Sequence, residues 1–124
     1  MRTGQCLRTL VGHFSWVTSL IINNENELIS GSLDSTIKIW NMRTGQCLRT
    51  LEGHTKSVYS LIINNENELI SGSWDATIKI WNMRTGECLR TLEGHTDGVS
   101  SLIINNENEL ISGSWDDTIK IWNM

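Results

Sequence analysis

Apolar residues along this chain come in short bursts separated by polar clusters. Near the middle, Val58–Ile63 reads VYSLII, rich in β-branched and aromatic residues and continuously apolar at its end, as in a strand packed on both faces. Residues 64–68 (NNENE) form a polar turn in which Asn tolerates the left-handed conformation. Residues 68–73 make a second strand ending in the small residues Ser71, Gly72 and Ser73, which let neighbouring groups approach closely. Trp74, Asp75 and Ala76 turn the chain again, and residues 77–81 (TIKIW) alternate as a strand does. Upstream, residues 42–46 gather polar groups around Gly45 and read as a turn, and Cys47–Leu51, carrying Arg49 and Thr50, reads as a partly buried strand. No segment sustains a 3.6-residue apolar period long enough for a helix.

This pattern recurs at a spacing of 41 residues. Residues 52–82 return almost letter for letter as 93–123 and, with changes, as 11–41, so the chain divides into repeats 1–41, 42–82 and 83–123. A fixed period of this length marks a repeat architecture, whose unit must stack on copies of itself to bury its apolar surface. Four short antiparallel strands per period is the strand count of a propeller blade. Three sheets sandwiched over a common core is the alternative, and near-identical repeats favour radial stacking over it. The fold class expected is all-β, a β-propeller of four-stranded antiparallel blades with three blades per chain.

Each repeat also carries a Gly-His pair, an Asp six residues before a Trp, a Ser four residues before that Asp, and the ending TIKIWN. These residues resemble the WD-repeat β-propeller family over the whole chain, with Asn41, Asn82 and Asn123 where that family usually ends its motif in Asp. The resemblance implies an interaction scaffold and not an enzyme. It also implies one side-chain network per blade: His13, Ser30, Asp34 and Trp40; His54, Ser71, Asp75 and Trp81; His95, Ser112, Asp116 and Trp122. In such a network His bridges a carboxylate and a hydroxyl, and the hydroxyl reaches the indole N–H. A hydrolytic Ser-His-Asp set would need its Ser exposed beside an oxyanion site, and threefold recurrence with a Trp at the end suits a structural tie instead. Three histidines in three different blades do not converge on one metal, and neither a metal nor a cofactor is expected.

Composition narrows the reading further. A net charge of −4 gives no basic field for a nucleic-acid backbone, and no apolar run approaches the roughly 20 residues that cross a bilayer. The opening MRTGQCLRTL lacks the apolar core of a signal peptide, so a cytoplasmic location is the default expectation. Cys6, Cys47 and Cys88 occupy one position per repeat, odd in number and without CxxC spacing, and read as half-buried free thiols.

In the family that this chain resembles, the strand after TIKIWN is the outermost strand of the same blade. The blade ending at Trp122 then lacks an outer strand, while residues 6–10 (CLRTL) begin the chain as an outer strand with no inner three. The expectation is a head-to-tail homo-oligomer in which Cys6, Leu7 and Leu10 of one chain meet Thr118, Ile119 and Ile121 of the next, hiding an open strand edge. Closure takes three chains with nine blades, or two with six. The trimer is favoured because a wider ring leaves more room for Trp74 and Trp115 at the blade tops.

Eight of the 41 repeat positions vary. Phe14, Ser15 and Trp16 become Thr55, Lys56 and Ser57, then Thr96, Asp97 and Gly98; nearby are Val11, Glu52 and Glu93, and Thr18, Tyr59 and Ser100. Leu33, Trp74 and Trp115, with Ser35, Ala76 and Asp117, flank the network Asp, and only Gln5, Gln46 and Glu87 lie elsewhere. In an up-and-down blade the loop entering the first strand and the loop joining the second to the third lie at one end, so seven of the eight gather on one face. Phe14, Trp16, Lys56, Tyr59, Trp74, Asp97, Trp115 and Asp117 are the candidate binding face for a protein or peptide. The competing expectation is a purely structural or engineered assembly unit without a dedicated partner, which the near-identity of the repeats favours.

Overall fold

The computed structural model describes residues 3–124. Among the described residues eleven strands run in chain order: β1 (Val17–Ile22), β2 (Leu28–Ser32), β3 (Ile37–Trp40), β4 (Cys47–Leu51), β5 (Val58–Ile63), β6 (Leu69–Ser73), β7 (Ile78–Trp81), β8 (Cys88–Leu92), β9 (Val99–Ile104), β10 (Leu110–Ser114) and β11 (Ile119–Trp122). They form antiparallel sheets in the orders β1-β2-β3-β4, β5-β6-β7-β8 and β9-β10-β11. Two blades are complete and the third has three strands. The strand after TIKIWN does close its own blade, with Ile37 opposite Leu51 and Ile78 opposite Leu92. Residues 6–10 form no strand within their own chain.

Local chemistry sets the turns. In NNENE, Asn64 Oδ1 accepts from the N–H groups of Glu66 and Glu68 at 3.0 and 2.9 Å, and Asn67 takes φ 60°. Asn26 and Asn108 repeat that conformation, the one Asn adopts at low cost. Asn41 Oδ1 accepts from the N–H of Arg43 at 2.9 Å, so a carbonyl oxygen suffices at that position.

The innermost strands β1, β5 and β9 lie side by side, and the core sits between blades. One cluster joins Ile29, Ile37, Ile39 and Leu51 of the first blade to Val58, Leu61, Leu69, Trp81 and Met83 of the second or its following turn. The other joins Ile70, Ile78 and Ile80 to Val99, Leu102 and Leu110. Each such side chain contributes about 1.5–3 kcal/mol on leaving water. Close approach at this joint needs glycine: a Cβ on Gly31 would lie 2.8 Å from Val58 Cγ1, and one on Gly72 2.7 Å from Val99 Cγ1.

Gly113 is the third member of that series, and a Cβ there would meet only Ser101 Cβ at 3.9 Å. Gly72→Ala therefore overpacks the joint and lowers stability by about 1–3 kcal/mol in urea denaturation. Gly113→Ala, at concentrations that keep the chain single, changes it by no more than about 0.5 kcal/mol.

Candidate functional site

In each blade the loop before the innermost strand carries His, the second strand carries Ser, the turn after it carries Asp, and the third strand ends in Trp. The second blade brings His54 Nδ1 to 2.9 Å from Asp75 Oδ2 and His54 Nε2 to 2.7 Å from Ser71 Oγ, and Trp81 Nε1–H donates to Ser71 Oγ at 2.8 Å. His13, Ser30, Asp34 and Trp40 repeat this at 2.9, 2.6 and 2.8 Å, as do His95, Ser112, Asp116 and Trp122 at 2.8, 2.7 and 2.8 Å. Donors and acceptors balance with a neutral imidazole: Nδ1–H donates to the carboxylate, and the Ser hydroxyl donates to Nε2 while accepting from the indole. Ser30, Ser71 and Ser112 are buried, with hydroxyls engaged on both sides.

The network has a further member per blade that the sequence reading did not include. Thr77 Oγ1–H and Thr77 N–H both donate to Asp75 Oδ1, at 2.6 and 2.9 Å, and the N–H of Thr55 donates to Oδ2 at 3.0 Å. Thr36 and Thr118 do the same for Asp34 and Asp116. The Asp-x-Thr spacing was the available signal, since an Asp bonding the residue two positions on is a turn device. Burial raises the Asp75 carboxyl, and the hydrogen bonds from His54, Thr77 and Thr55 outweigh it, holding the group well below the usual carboxylate range. Asp34 follows the same balance, burial against Thr36, Phe14 N–H and His13. At Asp116 the Thr118 hydroxyl contributes most and acts in the same direction.

The same hydrogen bonds bring the two variable loops together. Trp74 N–H donates to Ser57 O at 2.8 Å, Trp115 N–H to Gly98 O at 3.0 Å and Leu33 N–H to Trp16 O at 2.9 Å. Tyr59, Trp74 and Trp115 pack edge to face with ring centroids 5.1–6.2 Å apart, across the joint between second and third blades. Lys56 lines a shallow groove with Leu33, Ser35, Ser57 and Trp74. Asp97, Asp117, Phe14 and Trp16 are exposed, the last two with few neighbours of their own chain. Ser35, Ala76 and Asp117 take φ of 70–76° at the tip of the second loop.

The structure does not bring the two sets of oligomer-contact residues together within one chain. Cys6 and Leu7 are exposed and Leu10 is partly so, while Thr118, Ile119 and Ile121 are exposed on the open edge of the third blade. Of the three thiols, Cys47 and Cys88 are half-buried, and Cys6 is exposed, since no third strand covers it.

Two outcomes follow for the network. Ser71→Ala strands the His54 and Trp81 nitrogens and costs about 1–3 kcal/mol in urea denaturation. Because the folded carboxyl values lie below the unfolded Asp value of about 3.9, their contribution is complete above that pH and is lost as pH falls toward the folded values. The urea midpoint therefore drops between pH 5 and pH 2.5, and Asp75→Asn makes that drop smaller.

The model of the WD domain, G-beta repeat, matches residues 4–41, 45–82 and 86–123. A stretch of 43 residues is 46% identical to the periodic tryptophan protein 2 homolog of Schizosaccharomyces pombe, covering 34% of this chain and 5% of that protein. The WD40 β-propeller domain of Doa1 superposes with a TM-score of 0.85 at 28% identity, over 90% of this chain. The U3-55K structure superposes at 0.86 and 29% identity, over 94%. The chain spans 38% of each of those two solved chains. With all three repeats matched and the blade geometry shared, the chain belongs to the WD domain, G-beta repeat family.

Proposed function

We propose that this chain is a non-enzymatic propeller building block that joins second copies of itself head-to-tail into a closed ring and offers its variable face to a protein or peptide. WD-repeat proteins are typically non-catalytic interaction scaffolds, which supports the second half of that reading. The observation that carries the first half is an inversion of burial at equivalent positions. Val58 and Leu61 are 0% and 6% exposed at the inner joint, and their counterparts Val17 and Leu20 are 51% and 62% exposed. Ile37 and Ile39 are fully buried, and their counterparts Ile119 and Ile121 are 75% and 65% exposed. The two outer faces of the chain are thus the two halves of the joint that it makes twice internally.

The two complete blades also supply a template for the strand exchange. Extending the β3–β4 and β7–β8 register by one repeat sets Ile119 opposite Leu10 of the next copy, Lys120 opposite Thr9, Ile121 opposite Arg8 and Trp122 opposite Cys6. Lys38 Nζ donates to Thr50 Oγ1 at 2.8 Å and Lys79 Nζ to Thr91 Oγ1 at 2.9 Å, and Lys120 and Thr9 are their counterparts. Three copies with nine blades are favoured over two with six. A purely structural unit is the second reading, and the packing of Tyr59, Trp74 and Trp115 on one another favours it.

Light scattering tests the assembly: about 42 kDa is expected for three chains of 14.1 kDa, about 28 kDa for two, and a persistent single chain overturns it. Ile119→Lys, at a position exposed in the single chain, leaves urea stability there within about 0.5 kcal/mol and abolishes the larger species. A pull-down comparing the intact protein with Trp74→Ala/Trp115→Ala separates the two readings of the face. Loss of a recovered protein supports the scaffold, and equal recovery favours the structural unit.

A further inference from the structure

Some of the variable positions are also positions at which neighbouring blades touch near the loop end of a joint, and at the joint between second and third blades their side-chain sizes are complementary, Tyr59 on one side and Gly98 on the other. Two directions establish this. The residue before the innermost strand (Trp16, Ser57, Gly98) faces the preceding blade: a Cβ on Gly98 would lie 2.5 Å from Trp74 Cδ1 and 2.7 Å from Trp115 Cε3, and Ser57 Oγ donates to Leu33 O at 3.2 Å. The residue two further on meets the following blade: Tyr59 packs edge to face on Trp115, and Thr18 Oγ1 donates to Val58 O, with Ser100 their counterpart in the third blade. It sits where the register of the innermost pair shifts, a bulge that re-aims its side chain.

The joint between second and third blades therefore takes its aromatic filler, Tyr59, from the preceding side, and the facing position is Gly98 because both Trp74 and Trp115 crowd it. The joint between first and second blades has small residues from both sides, Thr18 and Ser57, beside a single Trp. At the open end of the third blade the preceding side offers only Ser100 next to Trp115. The large residue with the complementary direction is Trp16, 78% exposed in the single chain and aimed at a preceding blade that this chain does not contain.

We propose that Trp16 of one copy seats against Trp115 of the preceding copy over Ser100, filling from the following side the place that Tyr59 fills from the preceding side at the inner joint. This inference rests on the head-to-tail reading above and names the contact that distinguishes the intermolecular joint from the two internal ones. Large residues at both positions of one joint would collide, and small residues at both would leave uncovered the part of Trp115 that its packing on Tyr59 and Trp74 does not bury. The large-small order makes Trp16 an anchor of the kind that dominates association energetics.

Sedimentation across a protein concentration series tests it. Trp16→Ala is expected to weaken association by about tenfold or more, and Phe14→Ala, an exposed aromatic on the same loop, to leave it unchanged. Ser100→Tyr alone places two large residues in the joint and weakens association, whereas Trp16→Gly/Ser100→Tyr copies the Gly98–Tyr59 arrangement and restores it at least in part. A wild-type chain that assembles while Trp16→Ala assembles equally well overturns the seat and leaves the head-to-tail reading standing. So does an equal loss with Phe14→Ala, or a double variant weaker than either single one. A wild-type chain that stays single at every concentration overturns both, leaving the open blade face to a protein of another kind.

Discussion

A four-stranded blade has two apolar faces and cannot bury either by itself. The blades packed against those faces must do so, which is why the core of this protein lies between sheets and not within any one of them. Ile29, Ile37 and Ile39 share one apolar cluster with Val58, Leu61 and Trp81 of the next blade. Because the repeats are near-identical, each joint presents the same two halves, and the two ends of any row of blades are surfaces complementary to each other. The proposed ring is the consequence of that translation rule when it is allowed to close.

The His-Ser-Asp-Trp network serves the same constraint from inside each blade. It fastens the loop that enters the innermost strand to the turn between the second and third strands, and it fastens both to the third strand through the indole. That fixes the direction in which the variable residues leave the backbone. A loop tied by a carboxylate that accepts from a histidine, a threonine and two backbone N–H groups is a rigid mount. Differences among Trp16, Ser57 and Gly98 then become differences in what neighbouring blades present, without changing where the loops run.

Two demands meet on this face. Residues available to a partner must be exposed, and residues that seat one blade on the next must be covered. Tyr59, Trp74 and Trp115 meet both in part, since they pack on one another and the two Trp rings remain half exposed. Phe14 meets only the first, standing clear of its own blade. Glu25 and Arg84, 3.8 Å apart on the opposite side of the joint, contribute little, because both are well exposed to solvent.

Much of this was legible in the chain. Strand positions followed from the period-2 and all-apolar runs, and Val58–Ile63 and Cys47–Leu51 have the predicted bounds. That an Asn of NNENE could take the left-handed conformation followed from turn chemistry, which is local, and the structure assigns it to Asn26, Asn67 and Asn108. The offset between repeat and blade came with the family resemblance, and the strand pairing agrees with it. What the residues alone did not reveal depends on distances between chain segments far apart in sequence. The role of Thr36, Thr77 and Thr118 as donors to the network Asp needed the folded turn. The bulge that turns Tyr59 toward Trp115 needed the register of two strands, and the pinching of Gly98 between Trp74 and Trp115 needed two blades in place. Sequence by itself determined the repeat, the strands and their turns, because hydrophobic period and backbone preference act within a few residues. Only the tertiary structure decided which variable side chains face a neighbouring blade and which face water, because that is set by how two stacked sheets approach each other.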